Sequence, residues 1–174
     1  ERPSARSSHS FVMNGDFAYL FGGVDKRRPP GPNNELYKLD MSDKSYMYWT
    51  KLKPQENELV PCPRWQHTAH IFAERTMVIL AGFSADKQAR YLDDVWFYDT
   101  KKEKLQQPVI KRNAVTNNAS SQTSSVSNNK KEKLEARGAH ASALVGGSRL
   151  FVFGGYGGLG FSRKDLGDLI FLDM

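Results

Sequence analysis

Residues 137–155 read Arg-Gly-Ala-His-Ala-Ser-Ala-Leu-Val-Gly-Gly-Ser-Arg-Leu-Phe-Val-Phe-Gly-Gly. An arginine and, three residues later, a histidine come before two apolar runs, and a Gly-Gly pair separates the runs. Two adjacent glycines between short apolar runs favour a tight hairpin turn. The second run ends in a further glycine pair, where the backbone can adopt a positive φ. This stretch therefore predicts two antiparallel strands and the start of a loop.

The same order of features occurs twice earlier in the chain. Arginine–histidine pairs open at Arg6 and Arg64, and each is followed by two apolar runs that end near glycine. A polar loop comes next, and then an acidic, apolar and aromatic segment that closes on aspartate, at residues 35–40, 94–99 and 168–173. The opening histidines are 58 and 73 residues apart, so the blocks repeat while the loops between them vary in length. A repeat of this length predicts one structural unit that occurs three times along the chain.

Each unit is predicted to be a small sheet. The second apolar run is apolar at consecutive positions, as in Met77-Val78-Ile79-Leu80, which indicates a strand that is buried on both faces. Residues 46–52 of the first unit add a candidate fourth strand. We therefore expect about four strands in a unit, and no segment has a helical pattern.

These residues resemble the Kelch repeat family. The resemblance rests on the glycine pairs Gly22-Gly23 and Gly154-Gly155, the segment Asp94–Asp99, the Trp49-Thr50-Lys51-Leu52 end of the first unit, and Pro61-Cys62-Pro63-Arg64 before the second. It implies an all-β propeller of four-stranded blades that closes into a ring. Three blades cannot close such a ring, so we expect a fragment that further blades of the same parent chain complete.

The predicted organisation follows the repeat. We expect about two and three-quarter blades: a first blade at 1–60, a second at 61–112, a polar and disordered insertion at 113–136, and a third blade at 137–174 that lacks its last strand. The insertion is expected because 13 of the 17 residues from 113 to 129 are Asn, Ser, Thr or Gln, which bury little apolar surface.

The second unit departs from the family pattern at two places. Gly82-Phe83 stands where a glycine pair is expected, so one glycine is missing. No tryptophan follows Asp99 at the expected distance, and Leu105 is the residue that would fill that position.

The repeated residues are expected to be structural. The three histidines lack nearby carboxylates and close spacing, so we predict no metal site, no catalytic residue and no cofactor. Instead, the arginine and histidine of each unit are expected to bond the backbone of their own or the next blade. The predicted structural positions are Arg6, His9, Gly22, Gly23, Trp49, Arg64, His67, Gly82, Trp96, Arg137, His140, Gly154 and Gly155.

The candidate binding residues lie in loops. The resemblance implies that the loop between the second and third strands of a blade and the connection between blades lie on one face and bind partners. The corresponding loops here are 24–34, 84–91 and 156–164. Arginine and tyrosine are common at interface hot spots. Basic side chains on three neighbouring loops predict a protein partner with an acidic or phosphorylated surface, although ordinary solvated loops would look similar. The candidates are Lys26, Arg27, Arg28, Lys87, Arg90, Tyr91, Tyr156, Phe161, Arg163 and Lys164.

Composition leaves other functions open. The chain carries a net charge of +6, and all of the excess lies between residues 101 and 137. A local basic block of this kind favours a solvated insertion over a nucleic-acid surface, and nucleic-acid binding through it is kept as an alternative. A propeller enzyme whose site is completed by missing blades is the main alternative to a binding scaffold. Nothing resembles a membrane span, and the single cysteine favours a reducing compartment, so we expect a cytoplasmic protein.

Overall fold

The computed structural model describes residues 1–25, 31–85, 89–108, 112–115, 134–158 and 163–174. All of its regular elements are β-strands, and the described residues contain no helix that is long and apolar enough to cross a membrane. The strands are β1 (Arg6–Ser7), β2 (Ser10–Asn14), β3 (Phe17–Phe21), β4 (Val24–Asp25), β5 (Gly31–Pro32), β6 (Leu36–Asp40), β7 (Tyr48–Leu52), β8 (Thr68–Phe72), β9 (Thr76–Ser84), β10 (Arg90–Asp99), β11 (Lys104–Gln106), β12 (Arg112–Val115), β13 (Ala141–Val145), β14 (Arg149–Phe153), β15 (Tyr156–Gly157), β16 (Lys164–Asp165) and β17 (Leu169–Asp173).

Three antiparallel four-stranded sheets form the blades. The first has the order β2-β3-β6-β7, the second β8-β9-β10-β11 with a register shift between Leu92 and Val95, and the third β13-β14-β17-β12. Two small sheets, β1-β4-β5 and β15-β16, lie beside the first and third blades. The predicted all-β architecture of four-stranded blades is confirmed. Within each blade the second strand ends, and the third begins, at the same end of the sheet as the arginine–histidine pair.

The third sheet differs from the expectation of three strands. Its outer strand is β12, which precedes the third blade in sequence and pairs antiparallel with β17 from Arg112↔Leu172 to Val115↔Leu169. Residues 113–115 were expected to belong to the disordered insertion; the structure instead places them in a sheet. Without a partner, β17 would expose a row of backbone N–H and C=O groups, and β12 pairs with that edge. The other predicted insertion residues that the structure describes are 134–136, and residues 116–133 lie outside the described ranges.

The second strand of the middle blade is buried on both faces, as its sequence predicts. Met77 and Ile79 pack into an apolar cluster with the first blade, which includes Tyr19, Phe21 and Leu36. The alternate residues Val78 and Leu80 pack into a second cluster with Leu150, Val152 and Leu172 of the third blade. All four β9 side chains are at most 1% exposed. The middle blade is therefore enclosed by its neighbours, and the blades stack side by side.

Backbone hydrogen bonds join one blade to the next beside the first strands. The Gln66 N–H donates to the Ser8 carbonyl at 3.2 Å, and the Ala139 N–H donates to the Gln66 carbonyl at 2.9 Å. These three residues hold the same place between arginine and histidine in successive units, and all have positive φ. The repeated positions are thus equivalent in space.

In the second unit Ala81-Gly82 occupies the position of the glycine pair, one residue earlier than the Gly82-Phe83 that the repeat pattern predicts. The Gly82 N–H donates to the arginine carbonyl of the following unit at 2.8 Å, as the Gly23 N–H does at 2.9 Å. Gly82 therefore corresponds to Gly23, and Ala81, at φ 54°, corresponds to Gly22. The missing glycine is the first of the pair. A Cβ on Gly82 would lie 2.9 Å from the Trp65 carbonyl oxygen, which explains why the second glycine is present in all three units.

Candidate protein-binding face

A buried arginine holds both ends of the loop between the second and third strands. Arg64, fully buried, donates from Nη1 to the Ala81 carbonyl at 3.0 Å, three residues before the end of β9. It also makes a bidentate pair with Asp94 of β10, at 2.6 and 2.8 Å, at the register shift between Leu92 and Val95. One planar guanidinium can satisfy these acceptors together because its donors form a rigid fork. We call this arrangement the loop clamp.

The loop clamp occurs in all three blades. In each, the arginine Nε also donates to the carbonyl of the residue two positions earlier, which fixes the connection that enters the blade. The clamp therefore holds two neighbouring loops of one face at a time. The other two clamps are Arg6 with the Gly22 carbonyl (3.1 Å) and Glu35 (2.7 Å), and Arg137 with the Gly154 carbonyl (3.1 Å) and Asp168 (2.9 and 2.7 Å).

The two aspartates of the loop clamps, Asp94 and Asp168, have lowered pKa values and stay ionised. Burial is the largest influence on Asp94 and raises its pKa, but the hydrogen bonds and charge of Arg64 together hold that pKa below its ordinary value. A hydrogen bond from Arg137 is the main cause of the lowered pKa of Asp168. Asp94 and Asp168 therefore act as ionised hydrogen-bond acceptors for the clamp arginines, and not as proton donors.

The repeated histidines contact the neighbouring blade. His67 Nε2 lies 2.9 Å from Ser10 Oγ of the first blade, and His140 Nε2 lies 2.9 Å from Thr68 Oγ1 of the second. Burial, followed by the charge of the adjacent clamp arginine, lowers the pKa of His67 to about 3 and that of His140 to about 4. Both imidazoles are therefore neutral at physiological pH. No group of three His, Cys, Asp or Glu side chains with metal-site geometry occurs among the described residues.

An aromatic cluster lies at the loop end of the second blade. The rings of Trp65 and Phe83 are 4.9 Å apart, and those of Phe83 and Tyr91 are also 4.9 Å apart in an edge-to-face arrangement. Trp65 and Phe83 also pair through reciprocal backbone hydrogen bonds. All three side chains are partly exposed. Rigid aromatic side chains that reach solvent supply contact area at a small entropic cost.

The next blade adds an arginine to this face. The Arg163 guanidinium lies 3.2 Å from the ring centroid of Tyr156, within cation–π distance. Gly138 connects the two groups, because its backbone pairs with Tyr156 and its Cα lies against the Tyr91 ring. An added Cβ on Gly138 would lie 3.3 Å from that ring, so glycine lets Tyr91 approach the third blade.

The predicted binding residues divide into two groups. Tyr91, Tyr156 and Arg163 lie on the face just described, Arg90 is exposed at the start of β10, and Lys164 approaches Glu135 at 3.7 Å. The remaining candidates lie outside the described residues: Lys26, Arg27, Arg28, Lys87 and Phe161.

Sequence reasoning missed Trp65 and Phe83 as residues of this face. Trp65 occupies the position after the arginine, where the other units have Ser7 and Gly138, so a comparison of the three units could have singled it out. Phe83 was taken as part of the glycine pair. Its actual position, immediately after the pair, places it on the loop side of the clamp.

The other two tryptophans are framework residues. The Trp96 indole donates to Asp94 at 2.8 Å and so adds a third hydrogen bond to the clamp carboxylate. Trp49 packs edge to face on Tyr37, with ring centroids 6.3 Å apart. In the sheet register Trp49 lies opposite Leu39, and Leu105 lies opposite Tyr98. Leu105 therefore fills the tryptophan position of the second blade, as expected.

Comparison with known proteins gives a consistent picture of the fold. A family model described as the KLHDC2/KLHL20/DRC7 Kelch-repeats domain matches residues 1–131. A solved structure titled "Structure of YjhT" superposes on the whole chain with a TM-score of 0.68 at 16% sequence identity, and the match covers 45% of that chain. This second likeness concerns the fold alone.

Curated relatives match over most of the chain. It is 31% identical over 161 residues to the dynein alpha chain of the flagellar outer arm of Chlamydomonas reinhardtii, a match that covers 92% of this chain and 3% of that protein. It is 30% identical over 165 residues to host cell factor 2 of Homo sapiens, covering 88% of this chain and 18% of that protein. The chain thus spans less than a fifth of the length of these relatives.

Proposed function

The chain belongs to the Kelch-repeat family, and we propose that it is a protein-binding module that uses the loop face of its blades to hold an acidic partner. The observation that carries this proposal is the cluster of Trp65, Phe83 and Tyr91 beside the exposed Arg163. Aromatic anchors with an adjacent arginine are the composition of binding hot spots. The loop clamps support the role because a fixed loop base lowers the entropy lost on binding.

The charge of the face favours an acidic ligand. Arg90 and Arg163 are exposed at the loop ends of neighbouring blades. The stacking of Arg163 on Tyr156 orients the guanidinium and leaves the N–H donors at its edge for a carboxylate or phosphate. A phosphorylated or acidic peptide segment is therefore the partner that we propose, bound without catalysis and in the cytoplasm.

We also propose that further blades of the parent protein flank the three blades of this chain. Apolar side chains are exposed on the outer faces of the first and third blades, with Met13 53%, Val145 52% and Phe153 55% exposed. Large exposed apolar patches mark interaction surfaces. Gly155 corresponds to Gly23 and Gly82, so its N–H would donate to the arginine carbonyl of a following blade.

The loop face is tested with fluorescent acidic peptides. Binding is measured by fluorescence polarisation for the unmodified protein, Trp65→Ala and the double variant Arg90→Glu/Arg163→Glu. We expect the charge reversal to weaken binding of an acidic peptide by about tenfold or more, equivalent to at least ~1.4 kcal/mol, and Trp65→Ala to weaken it by a similar factor.

A matched control is Lys44→Glu, in the exposed turn between β6 and β7 at the opposite end of the first blade. It changes the net charge in the same direction and should leave the affinity within about twofold, since long-range charge effects are screened by salt. Equal affinities of the loop-face variants and the Lys44 variant would refute the assignment of this face.

A further inference from the structure

A groove lies between the first and second blades, away from the loop-face aromatic cluster. Its volume is about 430 Å³, and it is bounded by the end of β7, the connecting segment 53–60, the turn 101–103 and Leu105 of β11. The apolar part of its wall includes Leu36, Leu52 and Leu105. A space of this size accommodates a small organic molecule.

Two substitutions within the repeat create the groove. Leu105 occupies the position that Trp49 occupies in the first blade, and the side chain opposite it is Tyr98 where the first blade has Leu39. The smaller leucine leaves space at the edge of the sheet. The larger tyrosine brings a hydroxyl to a place that is apolar in the other two blades, which have Leu39 and Leu172 there.

The Tyr98 hydroxyl has no hydrogen-bond partner among the residues that the structure describes, although Tyr98 is only 2% exposed and lines the groove. A buried hydroxyl without a partner costs free energy and calls for an explanation. Burial, followed by the charge of nearby Glu103, raises the pKa of Tyr98, so the phenol stays protonated. It is therefore a donor that needs an acceptor.

The rim of the groove is positively charged. Lys53, Lys101 and Lys102 are exposed there, and none of them forms an ion pair with another described residue. Of the acidic side chains on the wall, Glu35 is paired with Lys51 at 2.7 Å and with Arg6. Glu58 accepts the backbone N–H groups of Gln55 and Leu105. Glu58 and Glu103 together offset two of the three lysines, so the rim retains one net positive charge and favours an anion.

We propose that this groove binds a small organic anion. The apolar body of the ligand lies against Leu36, Leu52 and Leu105, an acceptor oxygen takes the hydrogen bond of Tyr98, and an acid group pairs with Lys101 and Lys102. Ammonium groups on flexible stems bind phosphate and carboxylate alike, and the test separates the two. The site is distinct from the loop face and does not depend on the function proposed for it.

The test uses one ring with three head groups: 1-naphthyl phosphate, 1-naphthoate and neutral naphthalene-1-methanol, with inorganic phosphate alone as a fourth probe. Binding is measured by calorimetry and by NMR shifts of the leucine methyl groups that line the groove. We expect one of the two naphthyl anions to bind at least tenfold more tightly than the alcohol or inorganic phosphate. The preferred head group identifies the ligand class, and added salt should weaken binding.

Three variants complete the experiment. Tyr98→Phe keeps the ring and removes only the unpartnered hydroxyl, so the protein should be at least as stable, while anion affinity falls about five- to tenfold, the value of one hydrogen bond. Lys101→Ala/Lys102→Ala should weaken binding further and reduce its salt dependence. Arg163→Glu, which disrupts the loop face, should leave it unchanged.

The proposal is overturned if neither naphthyl anion binds at millimolar concentration, or if the anions bind no better than the alcohol. It also fails if the Tyr98 and lysine variants bind like the unmodified protein. Because acidic-peptide binding depends on Arg163 and anion binding does not, either result can be negative while the other stands.

Discussion

The two interfaces between neighbouring blades have equivalent backbone positions, but different side chains fill the space between the sheets. Between the first and second blades, Val12 and Ala69 pack into an apolar cluster, and beside them the His67 side chain is hydrogen-bonded to Ser10. Between the second and third blades, the positions of Val12 and Ala69 are held by His70 and Ser142. These two residues are 2.7 Å apart, from Nε2 to Oγ.

The second contact is a continuous chain of hydrogen bonds. Ser142 Oγ donates to Thr68 Oγ1 at 2.6 Å, and Thr68 Oγ1 lies 2.9 Å from His140 Nε2. If His70 donates to Ser142 and Thr68 donates to His140, every hydroxyl proton in the chain has an acceptor. Burial lowers the pKa values of His70 and His140, which keeps both rings neutral.

The difference shows which parts of a repeat are interchangeable. The clamp arginine and the second glycine recur in all three units, and in each unit both contact backbone atoms. The side chains that fill the space between blades contact one neighbour only, so either apolar packing or a satisfied polar chain serves. The following predictions test this division.

The largest effect is expected from loss of a clamp. Arg64→Leu should lower the free energy of unfolding by about 3–5 kcal/mol, because it leaves Asp94 without its partner in a partly buried site. Arg137→Leu should cost less, since the Asp168 side chain is 44% exposed and that of Asp94 is 24% exposed. Water can solvate Asp168 when its partner is lost. Urea denaturation of both variants measures the difference.

Arg149→Leu is the control for that comparison. Arg149 pairs with Asp173 at 3.2 Å, and both side chains are largely exposed, so the loss should be below about 1 kcal/mol. If Arg137→Leu cost as much as Arg64→Leu, exposure of the carboxylate would not determine the strength of a clamp.

A smaller loss of stability is expected when the first residue of the glycine pair is replaced, and it should differ between the first and second blades. Gly22→Ala should cost about 2–3 kcal/mol, because φ is 66° and the new Cβ would lie 2.8 Å from the Arg64 carbonyl oxygen. Ala81→Gly should change stability by less than about 1 kcal/mol. It loses a buried methyl group but relieves the strain of alanine at φ 54°. Thermal unfolding of both variants checks the prediction, and equal losses would contradict it.

Repetition made the fold predictable from sequence. Three copies of one pattern predicted the four-stranded units. The unbroken apolar run from Met77 to Leu80 predicted the strand that is buried on both faces. The glycine register of the second unit was not predictable. Strand β9 runs to Ser84, and nothing local shows where along it the clamp arginine makes its contact.

The candidate face was only partly predictable for a related reason. Loop composition made Tyr91, Tyr156 and Arg163 candidates, and Tyr156 and Arg163 are close in sequence. Trp65, Phe83 and Tyr91 come from three separate segments and meet only because the clamp brings together the start of a blade and both ends of its loop. The Tyr98 groove was not predicted, because the sequence placed Leu105 at the tryptophan position but did not show that it lies opposite Tyr98.

The smallest expected effect tests whether the polar chain between blades can be exchanged for the apolar filling. Ser142→Ala alone should cost about 1–2 kcal/mol, because it leaves His70 and Thr68 without a shared partner. Adding His70→Val recreates the valine and alanine of the first contact, so the double variant should lose about 1 kcal/mol less than the sum of the single losses. A double-mutant cycle in urea measures this coupling. Ser10→Ala, which acts on the other contact, should show none with His70→Val. Additive losses for His70 and Ser142 would mean that the two fillings are not equivalent and that the polar chain specifies which blades can be neighbours.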